Sequence, residues 1–157
     1  DFQCPGCAAV APILATLAGS DHLTLVYRYF PLTSIHANAD SSSRAAAAAD
    51  RQGSFWPMAE ALYARQSAWE NLLARDADAF FAALADELGL DVSAWQADYG
   101  SSDVAARVRA DRSAAEGMGL SGTPTLFIGG QRYGGSLSSD AIGAAIAAAT
   151  PRTTPAP

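Results

Sequence analysis

At 157 residues the chain suits one domain, or one small domain carrying an insertion, and its 50% apolar content is enough for a sizeable core. The formal net charge is −6 and every basic residue is arginine, a balance that argues against nucleic acid or an anionic membrane surface as partner. The most apolar C-terminal stretch, 141–149, is about half of what a bilayer span requires.

The chain opens Asp1-Phe2-Gln3-Cys4-Pro5-Gly6-Cys7, with its only two cysteines three positions apart. A helix is expected over 4–18, with Pro5 in the first turn, where its missing N–H is harmless, and with Ile13, Leu14 and Leu17 as an apolar face. Gly19, Ser20 and Asp21 should end it. Segment 23–30 reads as a strand with two largely apolar faces, expected at the centre of a sheet and covered on both sides, and Pro31 stops it. From 37 to 119 nearly everything reads as helix. Pro57 falls in a first turn, Asp76 reads as an N-cap, Gly89 as a stop, and Ser101 or Ser102 as the cap of a helix ending at Gly117 or Gly119. The aromatic residues Phe55, Trp56, Phe80 and Phe81 lie at helical spacing and are expected in the core. Then the period changes. Residues 125–128 read as a strand, Gly129-Gly130 as a hairpin turn and 131–133 as the partner strand. Ser138 should cap a last helix, with Leu137 and Ile142 as a hydrophobic staple. The tail 151–157 reads as disordered or as a linker. Thiol helix, strand, helical block, hairpin and helix make an α/β layout rather than a bundle.

The cysteine pair carries the chemistry. Positions i and i+3 share a helix face and are close enough to bridge. The tip of a helix leaves backbone N–H groups unpaired and presents the positive end of the peptide dipoles, which favours a thiolate. A free thiol ionises near ~8.5, whereas a helix-tip C-x-x-C thiol can fall to roughly 3.5–7. Cys4, at the tip, is expected to be exposed and to be the attacking or leaving sulfur; Cys7, one turn inside, is expected to be shielded and to resolve. Zinc is disfavoured, because the pair needs two further ligands and His22 and His36 lack ligand spacing. His36 reads as a satisfied structural residue and Arg28 as the partner of a local carboxylate. Phe2 could line an apolar docking surface or simply pack. Pro124, heading a strand that reads as core, needs a reason, and a cis peptide is one.

The segments Asp-Phe-Gln-Cys-Pro-Gly-Cys at 1–7 and Gly-Thr-Pro-Thr-Leu-Phe-Ile-Gly-Gly at 122–130 resemble the DsbA-like branch of the thioredoxin superfamily. So does the middle, with Tyr-Arg-Tyr-Phe-Pro-Leu at 27–32, then His36, then Gly-Ser-Phe-Trp-Pro-Met at 53–58. The resemblance implies a thioredoxin-like fold, with a core from 1–36 and 120–150 and an inserted helical domain over 37–119. It implies disulfide exchange through Cys4 and Cys7, with Pro5 and Gly6 as the intervening motif residues. It also implies a cis bond between Thr123 and Pro124, Pro124 beside the cysteines, and pairing of the Thr123 backbone with an extended substrate. No metal or organic cofactor is expected. The partners would be thiol- or disulfide-containing proteins and a redox protein that regenerates the active form. The setting would be the periplasm or cell envelope, with a membrane tether in residues this chain lacks. Two departures stand out. Gly6 occupies the place of a histidine in DsbA and offers no side-chain donor, so a milder oxidant is expected. The strand that should run into the motif, with its acidic residue, would be missing, since Asp1 stands where that strand ends. Thioredoxin and DsbA differ by about 150 mV, ~7 kcal/mol for a two-electron couple, so the motif by itself does not set direction. The alternatives are a disulfide reductase or isomerase, a redox-sensing domain appended to a larger protein and, more remotely, a glutathione-dependent isomerase.

Overall fold

The computed structural model describes residues 1–19 and 23–149. Ser20, Asp21, His22 and the tail 151–157 lie outside the described residues. Helix α1 (Pro5–Ala18) has Cys4 as its N-cap, with extended backbone, and Pro5 at its first position. Cys7 and Val10 form its buried face. Pro12 lies inside the helix, where it can donate no backbone hydrogen bond; one turn later the Thr16 hydroxyl donates to the Pro12 carbonyl at 2.9 Å.

Segment 23–30 runs without a ladder partner among the described residues, which corrects the expected central strand. Its exposure alternates: Leu25 and Tyr27 are half-buried, whereas Thr24, Val26 and Arg28 are exposed, Val26 at 61%. A strand becomes one by hydrogen bonding to a neighbour, and apolar side chains do not supply one. The segment is held by side chains instead: the Asp111 carboxylate accepts from the Tyr29 N–H at 3.1 Å and pairs with Arg28 at 3.5 Å.

The helical block is built around α2 (Ala39–Asp50), whose Ser42, Ser43, Ala45, Ala46, Ala48 and Ala49 are fully buried. Small side chains let four neighbours approach this helix closely: α3 (Phe55–Ala64), α5 (Ala74–Glu87), α6 (Val92–Tyr99) and α7 (Ser102–Gly117). The short α4 (Gln66–Trp69) carries Trp69 into the core. Trp69 and Trp95 fill the space that the alanines leave. Their indole N–H groups donate to the Leu62 carbonyl at 2.9 Å and the Ala45 carbonyl at 3.1 Å, so neither buries an unpaired donor. Three expectations are corrected here. Leu73, not Asp76, occupies the N-cap of α5, and Asp76 sits in its first turn, where a carboxylate still faces the positive helix end. Trp56 is 49% exposed on the outer side of α3. Leu137, the expected staple, is 38% exposed. Ser101, by contrast, caps α7 by accepting from Val104 N–H, and Gly89 leaves α5 at φ +72°.

After α7 come the antiparallel strands β1 (Leu126–Ile128) and β2 (Gln131–Tyr133), joined by Gly129 and Gly130 at φ +57° and +81°, the signs a two-residue hairpin needs. Ser138 precedes α8 (Ser139–Ala149), which packs on α1. The described residues are thus mostly helical, with one two-stranded sheet. No helix among the described residues is long and apolar enough to cross a membrane.

Trp69→Ala should remove an indole packed edge-on to Phe81 at 5.3 Å and cost about 3–5 kcal/mol in urea unfolding. A loss below ~1 kcal/mol would mean that α4 does not anchor the block.

Candidate active site

The turn before α1 and the loop before β1 meet at the cysteines. The Cys4 thiol donates to the Thr123 carbonyl at 3.4 Å, and the Thr123–Pro124 peptide is cis. Gly6 lies directly under that loop: a Cβ there would stand 3.1 Å from Pro124 Cδ and 3.7 Å from Cys4 Sγ. Gly6 and Pro124 are thus in close contact, and a side chain at position 6 would have to displace the proline ring by a few tenths of an ångström. Both cysteines are free thiols. Cys4 is only 7% exposed and Cys7 6%, so the expectation of an exposed Cys4 is corrected. A helix tip is open in isolation, but here the Thr123–Pro124 loop covers it.

The two sulfurs are driven apart in acidity. Burial pushes Cys4 up, but hydrogen bonding outweighs it, from the Thr123 side chain first and then from the Cys7 backbone N–H, the Cys7 thiol and the Gly6 N–H, and its pKa lies below that of an ordinary thiol. Burial also pushes Cys7 up, and there it wins over the hydrogen bond from the Thr123 side chain. The Thr123 hydroxyl is a buried side-chain oxygen without a hydrogen-bond partner in the dithiol form. In that form the Cys4 thiol points its hydrogen at the Thr123 carbonyl instead. The hydroxyl's stabilisation is therefore realised on ionisation, when a thiolate becomes the acceptor it lacks.

Phe2 does not line a docking surface. It is fully buried, stacked on Tyr27 at 5.1 Å and tilted against Tyr63 at 4.9 Å, so its contribution is packing beneath the motif. Tyr27 and Tyr63 share a hydroxyl–hydroxyl hydrogen bond of 3.2 Å; burial raises both pKa values, and charge on Cys7 raises them further. Nothing in the sequence marks this pair as lying near Cys7, because its members are 36 residues apart. The turn itself rests on buried polar groups. Asp1 Oδ1 accepts from Gln3 N–H at 2.8 Å, and Asp1 Oδ2 from Leu32 N–H at 3.0 Å and His36 Nδ1 at 2.7 Å. Gln3 accepts from Asn38 N–H at 2.7 Å and donates to the Glu70 carbonyl at 2.7 Å. Asn38 in turn donates to the Trp69 and Leu72 carbonyls. Asp1, Gln3 and His36 thus tie the motif to the helical block. Among the described residues no group of three or more His, Cys, Asp or Glu side chains could hold a metal ion.

Residues 1–148 match the family model described as thioredoxin. The chain superposes on a thioredoxin-like oxidoreductase from Silicibacter pomeroyi DSS-3 with a TM-score of 0.76 and 25% identity, over 95% of this chain and 82% of that one. Among curated proteins it is 34% identical over 150 residues to Na(+)/H(+) antiporter NhaA 1 of Salinispora arenicola. It is 37% identical over 139 residues to the protein of the same name in Mycolicibacterium vanbaalenii. These matches cover 95% and 86% of this chain but 22% and 21% of the antiporters, so the chain spans about a fifth of the length of the curated relatives it matches. The chain belongs to the thioredoxin superfamily, in its DsbA-like branch.

Thr123→Val keeps the shape and removes the hydroxyl, so the Cys4 thiolate should form at higher pH, read from thiolate ultraviolet absorbance of the reduced protein. An unchanged titration would exclude the hydroxyl as a donor. A depressed folded-state pKa also has a stability sign. Where the folded protein holds a thiolate and the unfolded chain still holds a thiol, ionisation favours folding. The gain is fully present above the unfolded thiol pKa and is lost as pH falls through the lowered Cys4 value. Reduced Cys7→Ser should therefore gain urea stability over that window relative to the Cys4→Ser/Cys7→Ser double variant. A constant difference between the two would contradict the shift.

Proposed function

We propose that this protein is a thiol–disulfide oxidoreductase that exchanges disulfides with protein substrates through Cys4 and Cys7, in the oxidase direction. The observation that carries the reading is the opposed acidity of the two sulfurs under the Thr123–Pro124 loop. In the oxidised protein a substrate thiolate attacks Cys4 Sγ of the Cys4–Cys7 disulfide. The Cys4–Cys7 bond breaks, its electron pair goes to Cys7, and Cys7, held above the usual thiol range, takes up a proton. A second substrate thiolate then attacks the substrate sulfur of the mixed disulfide. Cys4 departs as a stabilised thiolate, which makes it a good leaving group. The substrate loses two electrons and gains a disulfide, and the cysteine pair gains those electrons. In the opposite direction Cys4 attacks a substrate disulfide and Cys7 releases the mixed disulfide. A redox protein must reoxidise the pair for turnover. The Thr123 backbone would accompany an extended substrate segment as an added strand, a mode that tolerates many sequences. An oxidising compartment outside the cytoplasm suits this chemistry.

Gly6 brings a backbone N–H but no side-chain donor to Cys4, which favours a milder oxidant than DsbA. Equilibration with glutathione should place the couple below the DsbA value of about −120 mV. A potential at or above that value would contradict this assignment. Cys7→Ser should accumulate mixed disulfides with thiol proteins, and Cys4→Ser should form none; exchange surviving in Cys4→Ser would overturn the reading.

A second reading is favoured by the curated relatives, in which the matched segment is about a fifth of a longer protein named as an antiporter. The chain would then be a redox module carried by a larger membrane protein. The full open reading frame decides it: a contiguous multi-span region supports this reading, and its absence contradicts it.

A further inference from the structure

The mechanism above leaves one buried cluster unused. The Asp1 side chain is fully buried, and its carboxylate collects three N–H donors from two separate stretches of chain. Gln3 N–H and, through the Asp1 carbonyl, Cys4 N–H at 3.3 Å define the turn that leads into the motif. Leu32 N–H and His36 Nδ1 come from the loop that follows segment 23–30. His36 belongs to a tight turn, its own N–H donating to the Leu32 carbonyl at 3.0 Å, so its ring is held on a short, closed piece of backbone. Because its Nδ1 faces a carboxylate, the neutral imidazole carries its proton there.

We propose that His36 is a positioning residue for Cys4: its Nδ1 donor, acting through the Asp1 carboxylate, fixes the turn 1–4 that delivers Cys4 Sγ to the Thr123 carbonyl. This assignment rests on Cys4 being the exchanging sulfur. A buried carboxylate that loses one of its donors is under-satisfied and draws on its remaining partners, and here those include the backbone of the thiol turn. Loosening that turn moves Cys4 away from the Cys7 and Gly6 N–H groups that stabilise its thiolate, and leaves a less compensated negative charge nearby. Both effects disfavour ionisation of Cys4. The charged groups facing His36 are the Asp1 carboxylate and, across the loop, Glu70 at the end of α4. Burial holds the imidazole below its usual range, and its Nδ1 is a donor to the carboxylate in either protonation state.

The test uses two amides of different reach. The Nδ2 of an asparagine falls where the Nδ1 of a histidine lies, whereas a glutamine amide reaches one bond further. The pH profile of Cys4 alkylation is measured for the reduced protein, for His36→Asn and for His36→Gln, with urea stability and the oxidation of a dithiol peptide by the disulfide form recorded alongside. His36→Asn should reproduce the parent profile. His36→Gln should shift the profile to higher pH and slow alkylation below neutrality severalfold. His36→Ala removes the donor altogether and provides the same comparison should His36→Gln not fold; it should also shift the profile upward. Coincident profiles for all folded variants, or an asparagine variant as impaired as the glutamine one, would overturn the assignment. A parent disulfide form that oxidises no dithiol peptide would defeat the oxidoreductase reading and not this one, because the alkylation profile is read independently of exchange.

Discussion

The site depends on a contest at one sulfur atom. Cys4 is covered, and covering a thiol ordinarily suppresses its ionisation; the hydrogen-bond donors around it reverse that outcome. Cys7, one helical turn away, is covered with fewer compensating donors and goes the other way. A difference in acidity between neighbouring sulfurs makes one the better leaving group and keeps the other protonated until it is needed. The Thr123–Pro124 loop, which supplies the Thr123 carbonyl and hydroxyl, lies close over the motif, where a Cβ at position 6 would reach Pro124 at 3.1 Å.

The rest of the molecule keeps the two halves of that contest in register. The turn bearing Cys4 is anchored by Asp1 and Gln3 to the loop at 32–38, and Asn38 passes the connection to the carbonyls around α4. Those carbonyls are held because Trp69 is buried in the block that surrounds α2. The alanines and serines of α2 add little apolar area themselves. Their smallness lets the aromatic residues of α4, α5 and α6 close over them. The helical block is thus the abutment against which the thiol turn is braced.

Much of this was legible where the determinants are local. The hairpin follows from two glycines after a short apolar run, and both adopt the positive φ the turn requires. The cap of α7, the proline at the start of α1 and the stop at Gly89 are all set by residues within a turn of the boundary they define. The pairing of the motif with the Thr123–Pro124 loop, across 119 residues, came from the family resemblance and not from periodicity. What failed depends on tertiary surroundings. Segment 23–30 has strand composition, yet no described neighbour completes a ladder. Cys4 looked exposed because the loop that covers it lies far along the chain, and the burial of Phe2, which the sequence leaves open between docking and packing, is decided by tyrosines likewise remote in sequence. Trp56 looked like core because its spacing fits, although its side of α3 faces outward. Asp1, Gln3 and Asn38 carry no pattern that announces a network, since the partners that tie them to other elements are 31 to 67 residues away.

The most direct measurement is the ionisation of the Cys4 thiol in the reduced protein, followed by thiolate absorbance across pH, with the Cys7→Ser variant used to assign the transition. The account predicts a transition below that of a free cysteine, ~8.5, with the transition of Cys7 above it. A Cys4 that ionises like free cysteine, or after Cys7, would contradict it.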